Sequence, residues 1–372
     1  MMNSLKLLCC GIGGRDDEIT QDDAPNPHFD WIQSINLEAL DLCQFSVAAA
    51  QSNLISEDFF HIETDEKGLF VGIYDGHGGC EASHYLSQNF HQTLISHGNL
   101  EPHLSEDTLK LVFSRIEDQF LIHANDTIQE IKRGSVGSCC LVAYLLRGGA
   151  SSGRGIPAPN YLYIGNLGDS KAVMGYSKNK DVRAKRLALD DCMGRDPIIE
   201  MISVAAMQEA SNGLGTIVTS SVIGSSHIKN TLCYHPELNR INHYLDQPLA
   251  TAALKGVPYT CSMPLGYGEL FLILASDGLW ELLTDERAAE IVHHNPHEGA
   301  AKRLVQEALY EAALKSKIDP DTMASIPLGG DSRAVHDDIT VVVIFFNHGR
   351  TSVEQKNISI RNFRDVEAST ST

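Results

Sequence analysis

The chain has 372 residues, 43% of them hydrophobic and 21% charged, enough to bury a large core in one big domain or two modest ones. Its net charge of −19, with no dense block of Lys and Arg to reverse it locally, repels phosphates and anionic lipid, so nucleic-acid binding is set aside. Nine cysteines occur singly or as the neighbours Cys9-Cys10 and Cys139-Cys140, with no CxxC pair and no secretory signal. That pattern disfavours zinc and a disulfide framework and fits a reducing, intracellular setting, cytoplasmic or nuclear.

The opening "MMNSLKLLCCGIGG" is too short an apolar run to span a bilayer, and Met2 excludes N-myristoylation. Cys9 and Cys10 leave palmitoylation, and with it plasma-membrane association, open. Residues 1–40 read as a poorly ordered acidic, Pro/Asp-rich flank, 41–348 as the folded domain and 349–372 as a polar tail. Within the domain, "FSVAAA" (45–50), "LFVGIY" (69–74), "SCCLVAYLL" (138–146), "YLYIGNL" (161–167), "KAVMGY" (171–176), "ELFLILAS" (269–276) and "DITVVVIFF" (338–346) have strand length and β-branched or aromatic content. Such continuous apolar runs predict strands covered on both faces.

Helical patterns fall between them. Ser105 predicts an N-cap, with Leu109, Val112, Ile116 and Phe120 at helical spacing behind it. Thr284 caps a helix that ends before Pro296, and Ala301, Leu304, Val305, Ala308 and Ala312 line one face of the next. "RDPIIEMISVAAMQEA" (195–210) reads as helical and 211–228 as a loose strand region. Strands and helices come in blocks, which favours sheets covered by helices over a strict βαβ repeat.

Acidic residues recur where strands begin or end: Glu57 and Asp58, Asp75 in "DGHGG", Asp169 in "NLGDS", Asp277 in "SDGLW", and Asp337 and Asp338 in "HDDITVVV". Any one Asp-Gly pair is explained by a turn. If the sheets gather these ends at one rim, the crowded carboxylates need a cation to neutralise them. An all-oxygen set selects hard cations, Mg²⁺ or Mn²⁺, and two such ions about 3.5–4 Å apart share a water and aim it at a phosphoryl centre. Gly76 lets the backbone approach closely enough for its carbonyl to serve as a ligand, and His77 is placed to hand a proton to a leaving group.

With these residues assembled, the blocks "EDFF", "FVGIYDGHGG", "GSCCLVAYLL", "YLYIGNLGDSKAV", "LFLILASDGLWE" and "HDDITVVVIFF" resemble the metal-dependent serine/threonine protein phosphatases of the 2C type, most closely a plant subgroup. The resemblance implies an α+β fold, a β-sandwich of two antiparallel sheets flanked by helices, with two metal ions at one end. Position by position, Asp75 is similar to the bridging carboxylate, Gly76 to the metal-binding carbonyl, and Asp277 and Asp337 to the other direct ligands. Glu57 and Asp58 match the early acidic pair, His77 the general acid, and Asp169 the acid that helps hold a weaker third metal. The implied reaction is hydrolysis of phosphoserine and phosphothreonine by a metal-activated water. Phosphoproteins are the expected substrates, kinases or receptors possible partners, and a monomer the expected state.

The departures cluster in the middle of the chain. Asn53 stands where many members carry an arginine that grips the substrate phosphate. "LALDDCMG" (187–194) replaces a Thr-x-Asp-His-like element, and in "TSSVIGSSHIKN" (219–230) Ser221 and Ser225 stand where an arginine and an aspartate are usual. A second reading follows from them: a weak or inactive homologue that binds a kinase or receptor as a scaffold. Against it, Asp75, Asp277 and Asp337 are all retained.

Overall fold

Alternation of buried side chains along the central strands sets the layers of the molecule. The computed structural model describes residues 29, 31–97, 104–128, 136–148, 158–179, 181–187, 222–224, 258–347 and 356–363. In chain order the strands are β1 (Gln33–Ala39), β2 (Cys43–Ala50), β3 (Asp58–Thr64), β4 (Gly68–His77), β5 (Gly137–Ser138), β6 (Cys140–Leu146), β7 (Tyr161–Leu167), β8 (Lys171–Lys178), β9 (Asp181–Arg186), β10 (Ile223–Gly224), β11 (Tyr259–Pro264), β12 (Glu269–Ala275), β13 (Ile339–Phe346) and β14 (Ser359–Ile360). The helices are α1 (Glu81–His97), α2 (Glu106–Thr127), α3 (Asp277–Trp280), α4 (Asp285–His294), α5 (Ala300–Ser316) and α6 (Gly330–Arg333).

One sheet runs β1-β2-β13-β12-β8-β9; the other runs β10-β5-β4-β6-β7-β11, with β3 on the free side of β4 and β14 beyond it. All pairings are antiparallel. Every residue of β13 is buried. Its Val342, Ile344 and Phe346 enter the core between the sheets, while Val341, Val343 and Phe345 pack under α4 and α5. In the opposing sheet, Leu69, Val71 and Ile73 of β4 point to the shared core and Phe70 and Tyr74 to the layer under α1 and α2. Period-2 alternation with both faces covered is what the continuous apolar runs predict.

The helix signals appear where the sequence places them. Ser105 accepts from the Thr108 N–H and Thr284 from the Arg287 N–H. The α5 face of Ala301, Leu304, Val305, Ala308 and Ala312 is fully buried.

Both flanks need correction. The folded unit starts before residue 41: Phe29 is buried and β1 pairs with β2 through a bulge between Ile35 and Glu38. It also continues past residue 348, because β14 pairs with β3 and the Phe363 ring meets Phe60 at 5.0 Å. The expected helix at 195–210 lies outside the described residues, as does all of 211–228 except Val222–Gly224, where β10 pairs with β5. No helix among the described residues is long and apolar enough to cross a membrane.

Leu304 is fully buried in the layer under α5, whereas Leu314 on the same helix is 52% exposed. Leu304→Ala is expected to lower unfolding free energy by about 2–5 kcal/mol and Leu314→Ala by no more than ~0.5 kcal/mol, as read from urea denaturation midpoints.

Candidate metal centre

Antiparallel register brings the acidic strand ends to one edge. The start of β3 meets the end of β4, making Asp58 and Asp75 direct cross-strand partners. Side chains so paired share a face about 4.5–5.5 Å apart. The end of β7 meets the start of β6, where Leu167 pairs with Cys140, and Asp169 follows two residues later. The end of β12 meets the start of β13, where Ala275 pairs with Val341, so Asp277 and Asp337 emerge together.

The backbone around these acids is closely packed. The Gly76 N–H donates to the Glu57 carbonyl at 3.1 Å, and Ser83 Oγ on α1 donates to the same oxygen at 2.5 Å. A Cβ on Gly76 would lie 2.6 Å from both acceptor and hydroxyl, so only glycine fits. Gly278 is equally constrained: a Cβ there would stand 2.2 Å from the Asp338 carbonyl, locking the turn that carries Asp277 against the one that carries Asp337. His77 closes β4 opposite Gly137 and is half-buried.

Asp58 is buried and accepts a 2.8 Å hydrogen bond from Ser276 Oγ, which itself accepts from the Thr340 N–H at 3.0 Å. Burial, followed by the charges of Asp338 and Asp277, lifts the Asp58 carboxyl to about 8 against the hydroxyl hydrogen bonds that favour ionisation. Burial and then Asp169 lift Asp277 to about 6, opposed by its hydrogen bond with Asp75 and by the Arg333 charge. Asp75 is also raised well above the usual carboxylate range, by burial and then by Asp277, Asp58 and Asp169. Asp337 forms an ion pair with Arg333 of α6, whose charge also reaches Asp277. Asp75 thus interacts directly with Asp58, Asp169 and Asp277, Asp277 also with Asp58 and Asp169, and Asp337 joins them through Arg333.

These residues fit divalent cations. Oδ1 of Asp277 is buried with no hydrogen-bond partner, and Asp75, Cys139 and Asp169 present ligand atoms within 4.8 Å of one another. Carboxyl groups whose ionisation is disfavoured by burial and by one another are the expected cost of a site that a cation stabilises.

Asp338, Ser276, Arg333 and Cys139 are site residues that the sequence reading did not assign. Asp338 acts on Asp58 by its charge but is held by backbone and amide donors; its buried carboxylate accepts from the Ser52 N–H (2.6 Å), the Asn53 N–H (3.0 Å), Asn53 Nδ2 (3.1 Å) and the Glu57 N–H (2.8 Å). Asn53, at the position of the expected phosphate-gripping arginine, is therefore turned inward to hold this loop. The doubled acid in "HDD" was the available signal for Asp338, and the hydroxyl preceding Asp277 the signal for Ser276.

Without metal, the folded pKa values of Asp58 and Asp277 stand above their unfolded values, so both groups erode stability as pH rises from about 4 through 6 and 8. Cations reverse that trend. Added Mn²⁺ is expected to raise the unfolding temperature, more at pH 8 than at pH 6, with about 2.7 kcal/mol gained at a hundredfold excess over Kd. Asp75→Asn removes a carboxyl whose charged form burial and three neighbouring acids disfavour, so its metal-free form should melt higher than the parent while the Mn²⁺-induced rise shrinks. Asp338→Ala strips four donors of their acceptor and should cost about 3 kcal/mol or more. Thermal and urea denaturation of each variant check these outcomes.

Comparison with known proteins places this geometry in a family. The sequence model described as protein phosphatase 2C matches residues 42–190 and 223–318, and the gap between the two segments cuts through both central elements that depart from the pattern. The chain is 35% identical over 330 residues to probable protein phosphatase 2C 25 of Oryza sativa subsp. japonica, covering 85% of this chain and 81% of that protein. It is 33% identical to probable protein phosphatase 2C 42 of Arabidopsis thaliana, covering 86% and 84%. Among solved structures, the fold is similar to a serine-threonine phosphatase 2C from Toxoplasma gondii, with a TM-score of 0.56 at 14% identity, covering 85% of this chain and 99% of that one. By its matched segments, its plant relatives and its two-sheet architecture, the chain belongs to the protein phosphatase 2C family, a family of metal-dependent protein phosphatases.

Proposed function

We propose that the chain removes phosphate from phosphoserine and phosphothreonine in proteins, with water attacking phosphorus directly and no phosphoenzyme formed. The observation that supports this most is the gathering of mutually repelling, buried and half-buried carboxylates at one edge of both sheets, with an orphaned Asp277 oxygen among them. In this reading Asp75, the Gly76 carbonyl, Asp277 and Asp337 hold two cations, Mg²⁺ or Mn²⁺. Glu57 and Asp58 contribute directly or through water, and Asp169 serves a weaker third ion. When bound, such cations supply Lewis acidity toward phosphoryl oxygens and an activated water at neutral pH.

The chain's own residues do the remaining work. Ser276 and Thr340 fix the Asp58 carboxyl, and Asp338 holds the loop from which Glu57 and Asp58 project. Ser83 and Gly76 together anchor the Glu57 backbone. His77, half-buried at the end of β4, passes a proton to the departing serine or threonine oxygen, which is too basic to leave unprotonated. The thiols of Cys43, Cys139, Cys140 and Cys261 form no disulfide, which supports a reducing intracellular setting. The scaffold reading is not favoured, since it gives no reason to retain so many repelling acids.

A phosphothreonine peptide with added Mn²⁺ tests the reading. Release is expected from the parent and not from folded Asp75→Asn or Asp277→Asn. His77→Ala should lower turnover of the peptide by about 10²–10⁴-fold but that of p-nitrophenyl phosphate far less, because its leaving group needs no proton. No release from folded, Mn²⁺-loaded parent protein on several phosphopeptides would overturn the proposal.

A further inference from the structure

Two adjacent cysteines in "GSCC" take opposite environments. Cys140, the first residue of β6, packs its side chain into the apolar layer under α1 and α2. Cys139 turns the other way, at the break between β5 and β6. Its N–H donates to the Asp75 carbonyl at 2.8 Å, and its Sγ donates to Asp169 Oδ1 at 3.0 Å. The turn carrying Asp169 closes directly on this thiol: Gly168 has φ +114°, and a Cβ there would lie 2.4 Å from Sγ. A buried cysteine used merely as a small apolar filler looks like Cys140; Cys139 is seated among carboxylates.

We propose that Cys139 gives the Asp169 side of this centre a mixed sulfur–oxygen ligand set, Asp75, Cys139 and Asp169, that takes a thiophilic divalent cation such as Zn²⁺, Co²⁺ or Cd²⁺ in preference to Mg²⁺. The inference rests on the metal-centre reading above and adds the chemistry of the ion at its margin. The three ligand atoms lie within 4.8 Å of one another, and a tetrahedral ion with bonds of about 2.0–2.3 Å spaces its ligands roughly 3.5 Å apart, inside that limit. Oδ1 of Asp277 is buried without a hydrogen-bond partner, and the Asp277 carboxyl interacts with both Asp75 and Asp169. Sulfur sets the preference, because thiolate selects borderline and soft metals whereas carboxylate alone selects hard ones.

Binding exchanges the thiol proton for the ion: Sγ–H and M²⁺ give Sγ–M⁺ and a proton released to solvent, with no electron transferred. Oxidation is a poor alternative use of this thiol. It is 4% exposed, whereas peroxide attacks accessible thiolate.

Titration of the metal-free full-length chain with Co²⁺ tests the assignment, with Mn²⁺ binding followed separately by electron paramagnetic resonance. A thiolate-to-cobalt charge-transfer band in the near ultraviolet is expected to saturate near one equivalent. It should persist in Cys80→Ser, disappear in Cys139→Ser, and require at least about tenfold more Co²⁺ in Asp169→Asn, which keeps the thiol. Absence of the band in a parent protein that still binds Mn²⁺ overturns the sulfur ligand and leaves the phosphatase reading standing. Binding of neither ion overturns both. A band that survives in Cys139→Ser, or an unchanged Co²⁺ affinity in Asp169→Asn, also overturns it; the latter variant decides the matter if Cys139→Ser does not fold.

Discussion

Repulsion among crowded, buried and half-buried carboxylates is the constraint around which this molecule is organised. Asp75, Asp58, Asp169 and Asp277 would separate if their backbones were free to move, and they are held because each sits at the end of a strand locked on both sides. The force that opposes them is distributed: β4, β12 and β13 each bury alternate side chains in two different apolar layers. A one-residue slip of β3 against β4 would turn Asp58 away from Asp75 and also expose Phe60 and Ile62. The register that fills the core is therefore the same register that aligns the acids.

Buried acids serve two different ends in this small region. Asp338 is surrounded by backbone and amide donors and behaves as an anchor for residues 52–57, while its neighbour Asp337 pairs with Arg333 at the edge of the cluster. Adjacent, chemically identical side chains thus diverge through what faces them. The inward turn of Asn53 belongs to the same arrangement: a long cation at that position would have to give up the contact with Asp338 that ties the loop down.

What sequence conveys well here is whatever depends on local periodicity. The runs now seen as β2, β4, β6, β7, β8, β12 and β13 are apolar on both sides because both sides are covered, and Thr284 caps its helix by a contact three residues away. The strands it conveys poorly are mostly edges. β1, β9 and β11 end their sheets and β14 lies outermost beyond β3, with half-exposed or charged patterns such as "DVRAKR" that serve to protect an edge rather than fill a core. α1 escaped notice because Ser83, Ser87 and His91 are buried among its apolar residues and blur the stripe. In the candidate site, the recurring acids were legible one by one, since each marks a strand terminus. The partners that set their behaviour were not, because Ser276 is 218 residues from Asp58 and Asp338 is 281 from Glu57.

That last separation has a consequence for the life of the chain. The loop bearing the early acids is fastened by a residue near the far end of the sequence, and β2 finds its neighbour in β13, the last long strand. A ribosome must release the chain through β13 before the six-stranded sheet closes and the acids meet. Nascent chains thus carry the ligands in sequence long before they hold them in space, and a message truncated ahead of residue 337 encodes every core strand of the other sheet yet no complete centre.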